Sequence, residues 1–225
     1  MSTISKIIPI AWRDRIITEW YQQYLELKII TTKISRQFYR PPYPTSDSGE
    51  INLHLGCGSI NHPEFINVDG MSFPHVHYVR AIDDLSPFKD ESINLIYACH
   101  CLEHFSHRQV PNLLSHWFKK LKPGGILRLS VPDFDRIVNI YLENSRDVNT
   151  ILGPLMGGQN DKFDFHNIAF TSANLNELLI DTGFEEVREW YPHSSKLSDF
   201  DDWSTRQFYI NGNHYSVSLN LEAVK

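Results

Sequence analysis

The sequence predicts an α/β fold in which short strands alternate with helices around a mainly parallel, seven-stranded sheet. Of its 225 residues, 41% are hydrophobic, which is enough to bury one globular core. From residue 51 onwards, short β-rich runs are separated by turns and amphipathic stretches. We therefore expect a helical N-terminal arm over residues 1–40, a linker over 41–50 and one α/β domain over 51–225.

Seven runs rich in β-branched, aromatic and aliphatic residues are predicted to be strands. Helices are predicted at 107–121, where apolar residues recur at helical spacing, and at 134–144. Another helix begins at Thr171 or Ser172, whose hydroxyls can cap free N–H groups, and ends at Gly183. The predicted strands are residues 51–55, 65–69, 76–80, 93–98, 125–131, 185–190 and 214–224.

The arm differs from the rest of the chain in charge. Residues 1–40 contain seven Lys or Arg against three Asp or Glu, a net charge of +4, whereas the whole chain has a net charge of −6. Aromatic and aliphatic residues form a rough helical stripe in the arm, which ends at the proline-rich PPYPTSDSGE. The arm is therefore expected either to pack on the domain or a second copy as a homodimer, or to contact a membrane surface.

Composition narrows the class of protein. The net negative charge and a pI near 6.0 argue against a nucleic-acid partner. The chain begins without the apolar stretch of a secretory signal, contains no bilayer-spanning run, and has three cysteines. These features predict a cytoplasmic location, with the arm allowing contact with the inner face of the membrane. The cysteines are Cys57, Cys99 and Cys101.

A glycine turn and an acidic residue together indicate a nucleoside pocket. The first strand runs directly into Gly56-Cys57-Gly58-Ser59, where glycines let backbone N–H groups approach a ligand. The second strand ends in Asp69, where an acidic residue of a Rossmann-type fold binds ribose hydroxyls. The alternative is a plain tight turn and a surface aspartate.

The link between the first two strands is too short for a phosphate-binding helix. Only residues 59–64 separate the glycine turn from the second strand, so no helix N-terminus is available to face a pyrophosphate. This favours a nucleoside cofactor without phosphates, and S-adenosylmethionine is the common one.

Over residues 51–135, four segments resemble successive motifs of class I S-adenosylmethionine-dependent methyltransferases. These segments are LHLGCGSI, NVDG, DDLSPFKDESINLIYACHCLEHF and LKPGGILRLSVPDFD. Four further segments towards the C-terminus resemble a bacterial subgroup of small methyltransferases associated with polysaccharide and glycan gene clusters. They are MGGQNDKFDFHN, LLIDTGFEEV, DDWS and VSLNLEAVK. The resemblance implies a Rossmann-like sheet with helices on both faces, an antiparallel last strand and a shortened link between strands one and two. It also implies O-methylation of a sugar hydroxyl on a glycan or glycan precursor.

Carried over residue by residue, the resemblance implies a cofactor site. The glycine turn would lie under the methionine portion, Asp69 would bind the ribose, Asp84 and Leu85 would flank the adenine, and residues 98–101 would line the cofactor and the mouth of the cleft. The expected cofactor-binding residues are Leu55, Gly56, Cys57, Gly58, Asp69, Gly70, Asp84, Leu85, Ala98 and His100.

Methyl transfer to a hydroxyl requires removal of its proton, and a neutral histidine suits that task because its unperturbed pKa is about 6.5. His100, His104 and His166 are the candidates. His166 is favoured because it lies in the FDFHN loop, and such loops supply substrate contacts at the carboxyl edge of an α/β sheet. A packed or capping histidine is the alternative for each.

Acidic residues provide further candidates. Asp133 follows the fifth strand and either takes part in catalysis or caps the next helix. Asp201 and Asp202, with Trp203 and Ser204, either close over the site as a platform for a polyol or form an exposed loop.

Two other functions compete with that of a methyltransferase. His100, Glu103 and His104 satisfy the H-x-x-E-H pattern of a zinc hydrolase, with Cys99, Cys101 and His107 nearby. That pattern needs one long helix, whereas residues 93–97 lead into it as a strand, so no metal site is predicted. A catalytically inactive methyltransferase-like binding scaffold is the other alternative, and the intact glycines and Asp69 argue against it.

Overall fold

The computed structural model describes residues 23–24, 27, 30–32, 34–35, 40–44, 49–160, 163–210 and 212–225. Described arm residues between positions 23 and 35 are helical, and Thr32 is buried. Most of the predicted arm and residues 45–48 of the linker lie outside the described residues. No helix within the described ranges is long and apolar enough to cross a bilayer.

Nine strands are present in the described residues. Seven form one sheet in the order β3-β2-β1-β4-β5-β9-β6, and β7 pairs with β8 in a separate hairpin. All neighbours in the large sheet are parallel except those of β9, which is antiparallel to β5 and β6. The predicted seven-stranded sheet with an antiparallel last strand is confirmed. The strands are β1 (Asn52–Leu55), β2 (Ile66–Asp69), β3 (Tyr78–Val79), β4 (Ile93–Cys99), β5 (Leu121–Pro132), β6 (Glu186–Glu189), β7 (Gln207–Ile210), β8 (Asn213–Ser216) and β9 (Ser218–Val224).

Beyond the arm, four α-helices accompany the sheet in the described ranges: α1 (Val110–Lys120), α2 (Phe134–Glu143), α3 (Leu152–Met156) and α4 (Ser172–Thr182). Thr171 caps α4 in a reciprocal capping box with Asn174, and the helix ends at Gly183, whose φ of +113° suits glycine. The three predicted helices are therefore confirmed, although α1 begins three residues later than expected.

The core fills both faces of the sheet. On one face Trp117 of α1 and Leu179 of α4 pack fully buried against the sheet residues Leu53 and Leu129. On the other face Phe65, Tyr97 and Trp190 form a buried aromatic group. Because the parallel strands end at one edge, the loops that follow β1, β2, β4 and β5 meet there.

Three predicted strands differ in extent from the structure. The strand predicted at 76–80 has only two residues in β3, and the one predicted at 125–131 begins four residues earlier as β5. Residues 214–224 form two strands, β8 and β9, with buried Val217 between them. The Val217 side chain packs with Ile137 and Ile140 of α2. The β7–β8 hairpin was not predicted.

Candidate functional site

A cavity of about 870 Å³ lies at the carboxyl ends of the parallel strands. One part of its wall is the glycine turn, residues 56–59, and another is the end of β4. Most of the remaining wall comes from two further stretches of the chain. We call these the overlying segment, residues 153–160 and 163–167, and the closing segment, residues 201–208.

The glycine turn has a backbone that only glycine adopts easily. Gly56 and Gly58 have φ values of +63° and +53°. A Cβ on Gly56 would lie 2.3 Å from Cys101 Sγ, whereas the space beside Gly58 is open. The Gly58 N–H donates to Asp69 Oδ2 at 2.8 Å, and the Met71 N–H donates to Asp69 Oδ1 at 2.6 Å. The carboxylate at the end of β2 therefore holds the turn in place.

These residues fit S-adenosylmethionine. The open space beside Gly58 lets a ligand approach the backbone, and the carboxylate oxygens of Asp69, which is 7% exposed, are acceptors of the kind that ribose hydroxyls require. Between Leu55 and Ile66 the described chain forms only turns, so no helix N-terminus is available for a phosphate group. The short link expected from the sequence is confirmed.

His100 lies immediately after β4 in a left-handed conformation, with a φ of +50°. Such a conformation is uncommon for a residue with a side chain and is often found at functional sites. Its Nε2 lies 2.8 Å from Ser218 Oγ, and the Ser218 hydroxyl donates to the Trp203 carbonyl at 2.7 Å. Because that hydroxyl proton is engaged, His100 Nε2 is the donor to Ser218.

His166 is held by the overlying segment. Its Nδ1 lies 3.0 Å from the Pro154 carbonyl oxygen, which only accepts, so Nδ1 carries the proton. In the neutral ring Nε2 is then an unprotonated acceptor. Burial lowers the pKa of His166, while the negative charge of Glu103 opposes that shift. His166 is therefore a neutral base on the cavity wall at physiological pH.

His104 has a different environment. Its Nδ1 lies 3.1 Å from the Phe165 carbonyl oxygen and its Nε2 lies 3.1 Å from the His100 carbonyl oxygen. Its ring also contacts that of His166, with centroids 5.2 Å apart. His104 thus ties the turn after β4 to the overlying segment.

The closing segment supplies the opposite wall. Trp203 is 46% exposed, and its ring lies against His100 with centroids 5.6 Å apart. Asp201 and Asp202 line the same wall, and Asp202 also accepts from the Tyr97 hydroxyl. The Arg206 guanidinium lies over the Trp203 ring at 4.9 Å. An aromatic face with carboxylates beside it suits a ligand that presents both C–H and O–H groups.

Burial keeps three titratable side chains near the cavity neutral: His54, Cys99 and Cys101. Burial lowers the pKa of His54 to about 4. Burial also raises the pKa values of the Cys99 and Cys101 thiols, so neither is a ready nucleophile.

The structure brings together only part of the predicted site. Gly56, Cys57, Gly58, His100, His104 and His166 line the cavity. Leu55, Leu85 and Ala98 are buried in the core, while Asp84 is exposed and pairs with Arg80 at 2.9 Å. Asp69 and Gly70 lie at the end of β2, where a Cβ on Gly70 would be 3.6 Å from the Phe163 ring. The cofactor roles of these residues stay predictions.

Asp133 serves as the N-cap of α2. Its carboxylate accepts from the backbone N–H groups of Asp135 and Arg136 and also pairs with the Arg136 side chain at 3.0 Å. The capping alternative accounts for its contacts, and it is not part of the described cavity wall. A catalytic role for Asp133 stays a prediction.

The H-x-x-E-H residues do not share one helix. His100 follows β4, and Glu103 and His104 belong to a single 3-10 turn, Leu102–His104. The long helix of the zinc-hydrolase alternative is therefore not formed. Glu103, His104 and His166 do offer ligand atoms within 4.8 Å of one another. However, both His104 ring nitrogens face carbonyl oxygens, so binding a cation there would cost one of those contacts.

Several residues of the cavity wall were not predicted from the sequence. Gly157, Gly158 and Asp164 shape the overlying segment, in which Asp164 accepts from the Gly158 N–H at 3.1 Å. Phe208 of β7 also lines the cavity. The Asn-Gly pair at 211–212 is a hairpin signal that could have located β7 and β8.

Comparison with known proteins agrees with this geometry. The sequence model of a family described as "Methyltransferase domain" matches residues 32–189, more than half of the chain. The chain is 26% identical over 121 residues to the ubiquinone/menaquinone biosynthesis C-methyltransferase UbiE of Vibrio campbellii. It is 30% identical over 120 residues to UbiE of Vibrio vulnificus strain YJ016. These matches cover 51% and 50% of this chain, and 46% and 45% of the relatives, so the chain spans about half the length of the curated relatives it matches.

Solved structures share the fold. An S-adenosylmethionine-dependent methyltransferase from Archaeoglobus fulgidus superposes with a TM-score of 0.50 at 17% identity, covering 92% of this chain and 100% of that one. The Burkholderia thailandensis 1,6-didemethyltoxoflavin-N1-methyltransferase, solved with bound S-adenosylhomocysteine, gives 0.50 at 14% identity, covering 97% and 90%. The chain therefore belongs to the methyltransferase domain family.

Proposed function

We propose that the chain methylates a hydroxyl oxygen of a sugar, on a glycan or glycan precursor. The observation that carries the proposal is that a neutral histidine base and a polar aromatic platform line one cavity. His166 lies on one wall, and Trp203 with Asp201 and Asp202 on another. Carboxylates accept hydrogen bonds from sugar hydroxyls, and an aromatic ring packs against the C–H face of a sugar.

In this reaction each group of residues around the cavity has its own task. The glycine turn and Asp69 hold the cofactor and fix its orientation. When bound, the cofactor supplies a methyl group, whose bond to sulfur breaks with its electron pair left on sulfur as the acceptor oxygen attacks. His166 Nε2 takes the hydroxyl proton, since its Nδ1–H is engaged with Pro154. Trp203 and the neighbouring carboxylates orient the acceptor.

We expect the protein to transfer a labelled methyl group to a glycan precursor that lacks it. Glycan material from a strain in which this gene is deleted serves as the acceptor, with methyl-labelled S-adenosylmethionine. Product analysis by mass spectrometry and NMR should place the label in a sugar O-methyl ether. Trp203→Ala should raise KM for the acceptor about three- to tenfold, because an aromatic contact contributes about 0.5–1.5 kcal/mol, and should leave cofactor affinity unchanged.

Label on a carbon or nitrogen atom would contradict the proposed oxygen acceptor. A carbon acceptor deserves direct comparison because the matched relatives bear the name C-methyltransferase. Offering an aromatic quinone precursor beside the glycan material separates the two classes.

For the arm we propose contact with a membrane surface, with self-association as the competing role. The basic charge of residues 1–40 supports attraction to anionic lipid. Removing residues 1–40 should abolish sedimentation with anionic vesicles and keep the affinity for S-adenosylhomocysteine, because every proposed cofactor contact begins at residue 55. Vesicle binding that survives the truncation would contradict the membrane role, and a dimer lost on truncation would assign the arm to self-association.

A further inference from the structure

One buried carboxylate lies behind the histidines of the active site. Glu103 is 0% exposed, and neither of its carboxylate oxygens has a hydrogen-bond partner of normal geometry among the described residues. Its Oε1 lies 3.3 Å from His100 Nδ1 and 3.8 Å from His166 Nε2. An ionised carboxylate buried without partners is costly, so this residue needs a positive neighbour.

The protons of the two neighbouring rings can be assigned from their outer contacts. His100 Nε2 donates to Ser218 and His166 Nδ1 donates to Pro154. In the neutral rings, the nitrogen atoms nearest to Glu103 therefore both carry lone pairs. Glu103 is thus close to two bases, and its negative charge stabilises whichever ring gains a proton.

We propose that Glu103 is a positioning residue of this active site, whose buried carboxylate balances the charge that the His166 ring gains when it takes the acceptor proton. The inference rests on the proposed role of His166. The proton leaves the acceptor hydroxyl and stays on Nε2, so the imidazolium lies opposite the carboxylate. No other reactant is needed.

The charges around Glu103 agree with this role. Burial alone would raise the pKa of Glu103, but the positive charge that His100, His104 and His166 carry when protonated outweighs burial and holds that pKa below its usual value. Cys101 is the other titratable group that faces it, and burial keeps that thiol neutral. The carboxylate is therefore charged when the imidazolium forms.

The test needs no acceptor. In the full chain labelled with ¹⁵N-histidine, the His166 signals are assigned by their loss in His166→Gln, and both the tautomer and the titration are followed by NMR. We expect the Nδ1–H tautomer. In Glu103→Gln, the pKa of His166 should fall by about one pH unit, because an opposite charge nearby favours the charged form of histidine. An unchanged pKa, or an Nε2–H tautomer, would overturn the proposal.

A matched variant controls for the loss of any buried carboxylate. Glu222 is 6% exposed and pairs with Arg128 at 3.0 Å, away from the cavity. Glu222→Gln should leave the pKa of His166 unchanged; an equal shift in this variant would show a general effect of destabilisation and overturn the assignment. Stoichiometric metal in the purified protein, with His166 signals that change on chelation, would also overturn it, since a cation would then occupy the place of the proton.

The NMR test of Glu103 and the methylation test of the proposed function can fail separately. If sugar methylation is absent but the His166 pKa falls in Glu103→Gln, the coupling of the two residues stands and the acceptor is different. If sugar methylation occurs and the pKa does not move, His166 works without Glu103.

Discussion

Replacing His166 by alanine should lower kcat about 10²- to 10⁴-fold, the range expected for loss of a general base, and should leave the affinity for S-adenosylhomocysteine unchanged. The reason is that His166 lines the acceptor side of the cavity and donates through Nδ1 to Pro154, whereas the proposed cofactor contacts come from other segments. Turnover is measured with the acceptor identified by methyl labelling, and affinity by calorimetry.

The pH dependence of kcat gives a second test of His166 as the general base. A base must be neutral to act, so kcat falls as the pH drops through its pKa. Because burial lowers the pKa of His166, the acid limb of the wild-type profile should lie below pH 6.5, the ordinary value for histidine. Added imidazole should restore part of the activity of His166→Ala. His116→Ala, a change on α1 outside the cavity wall, is the matched control.

A residual kcat above about a tenth of the wild-type value would be too high for an enzyme that has lost its general base. His104 and Asp133 are then the next candidates. Both have competing tasks in the structure, since His104 bridges two carbonyl groups and Asp133 caps α2. Loss of cofactor affinity together with kcat would instead make His166 a wall of the cofactor pocket.

Local patterns were sufficient to predict that the glycine turn and Asp69 meet. The glycine turn directly follows β1, and Asp69 ends β2, the neighbouring parallel strand. Neighbouring parallel strands bring their carboxyl ends to one edge, so the two features had to meet once the strands were correctly assigned. The Gly58 N–H bond to Asp69 is the direct result.

The overlying segment depends on contacts that no periodic pattern in the sequence indicates. After α3 it is irregular, and its shape comes from Asp164 accepting backbone N–H groups of Gly158 and Asn160. The side chain of Glu103 faces inward because it lies in a 3-10 turn after a left-handed His100, a conformation that residue type did not suggest. The sequence therefore located these residues without showing which of them face one another.

Replacing Asp69 by alanine should weaken S-adenosylhomocysteine binding about 10- to 150-fold, because a charge-assisted hydrogen bond contributes about 1.5–3 kcal/mol. The structure adds a second reason for the loss. The carboxylate also accepts from the backbone N–H groups of Gly58 and Met71, so its removal releases the glycine turn that lies along the cavity wall. Calorimetry of the full chain measures the affinity.

Two variants separate ribose binding from support of the turn. Asp69→Asn keeps one acceptor oxygen for the Gly58 N–H but removes the negative charge, so it should lose less affinity than Asp69→Ala if the carboxylate chiefly supports the turn, and about as much if it chiefly binds ribose. Asp90→Ala removes an exposed aspartate paired with Lys120 at 2.7 Å and should bind the ligand as the wild type does. Unchanged affinity in a folded Asp69→Ala protein would place the ribose elsewhere, since an aspartate with either task cannot be lost without weaker binding.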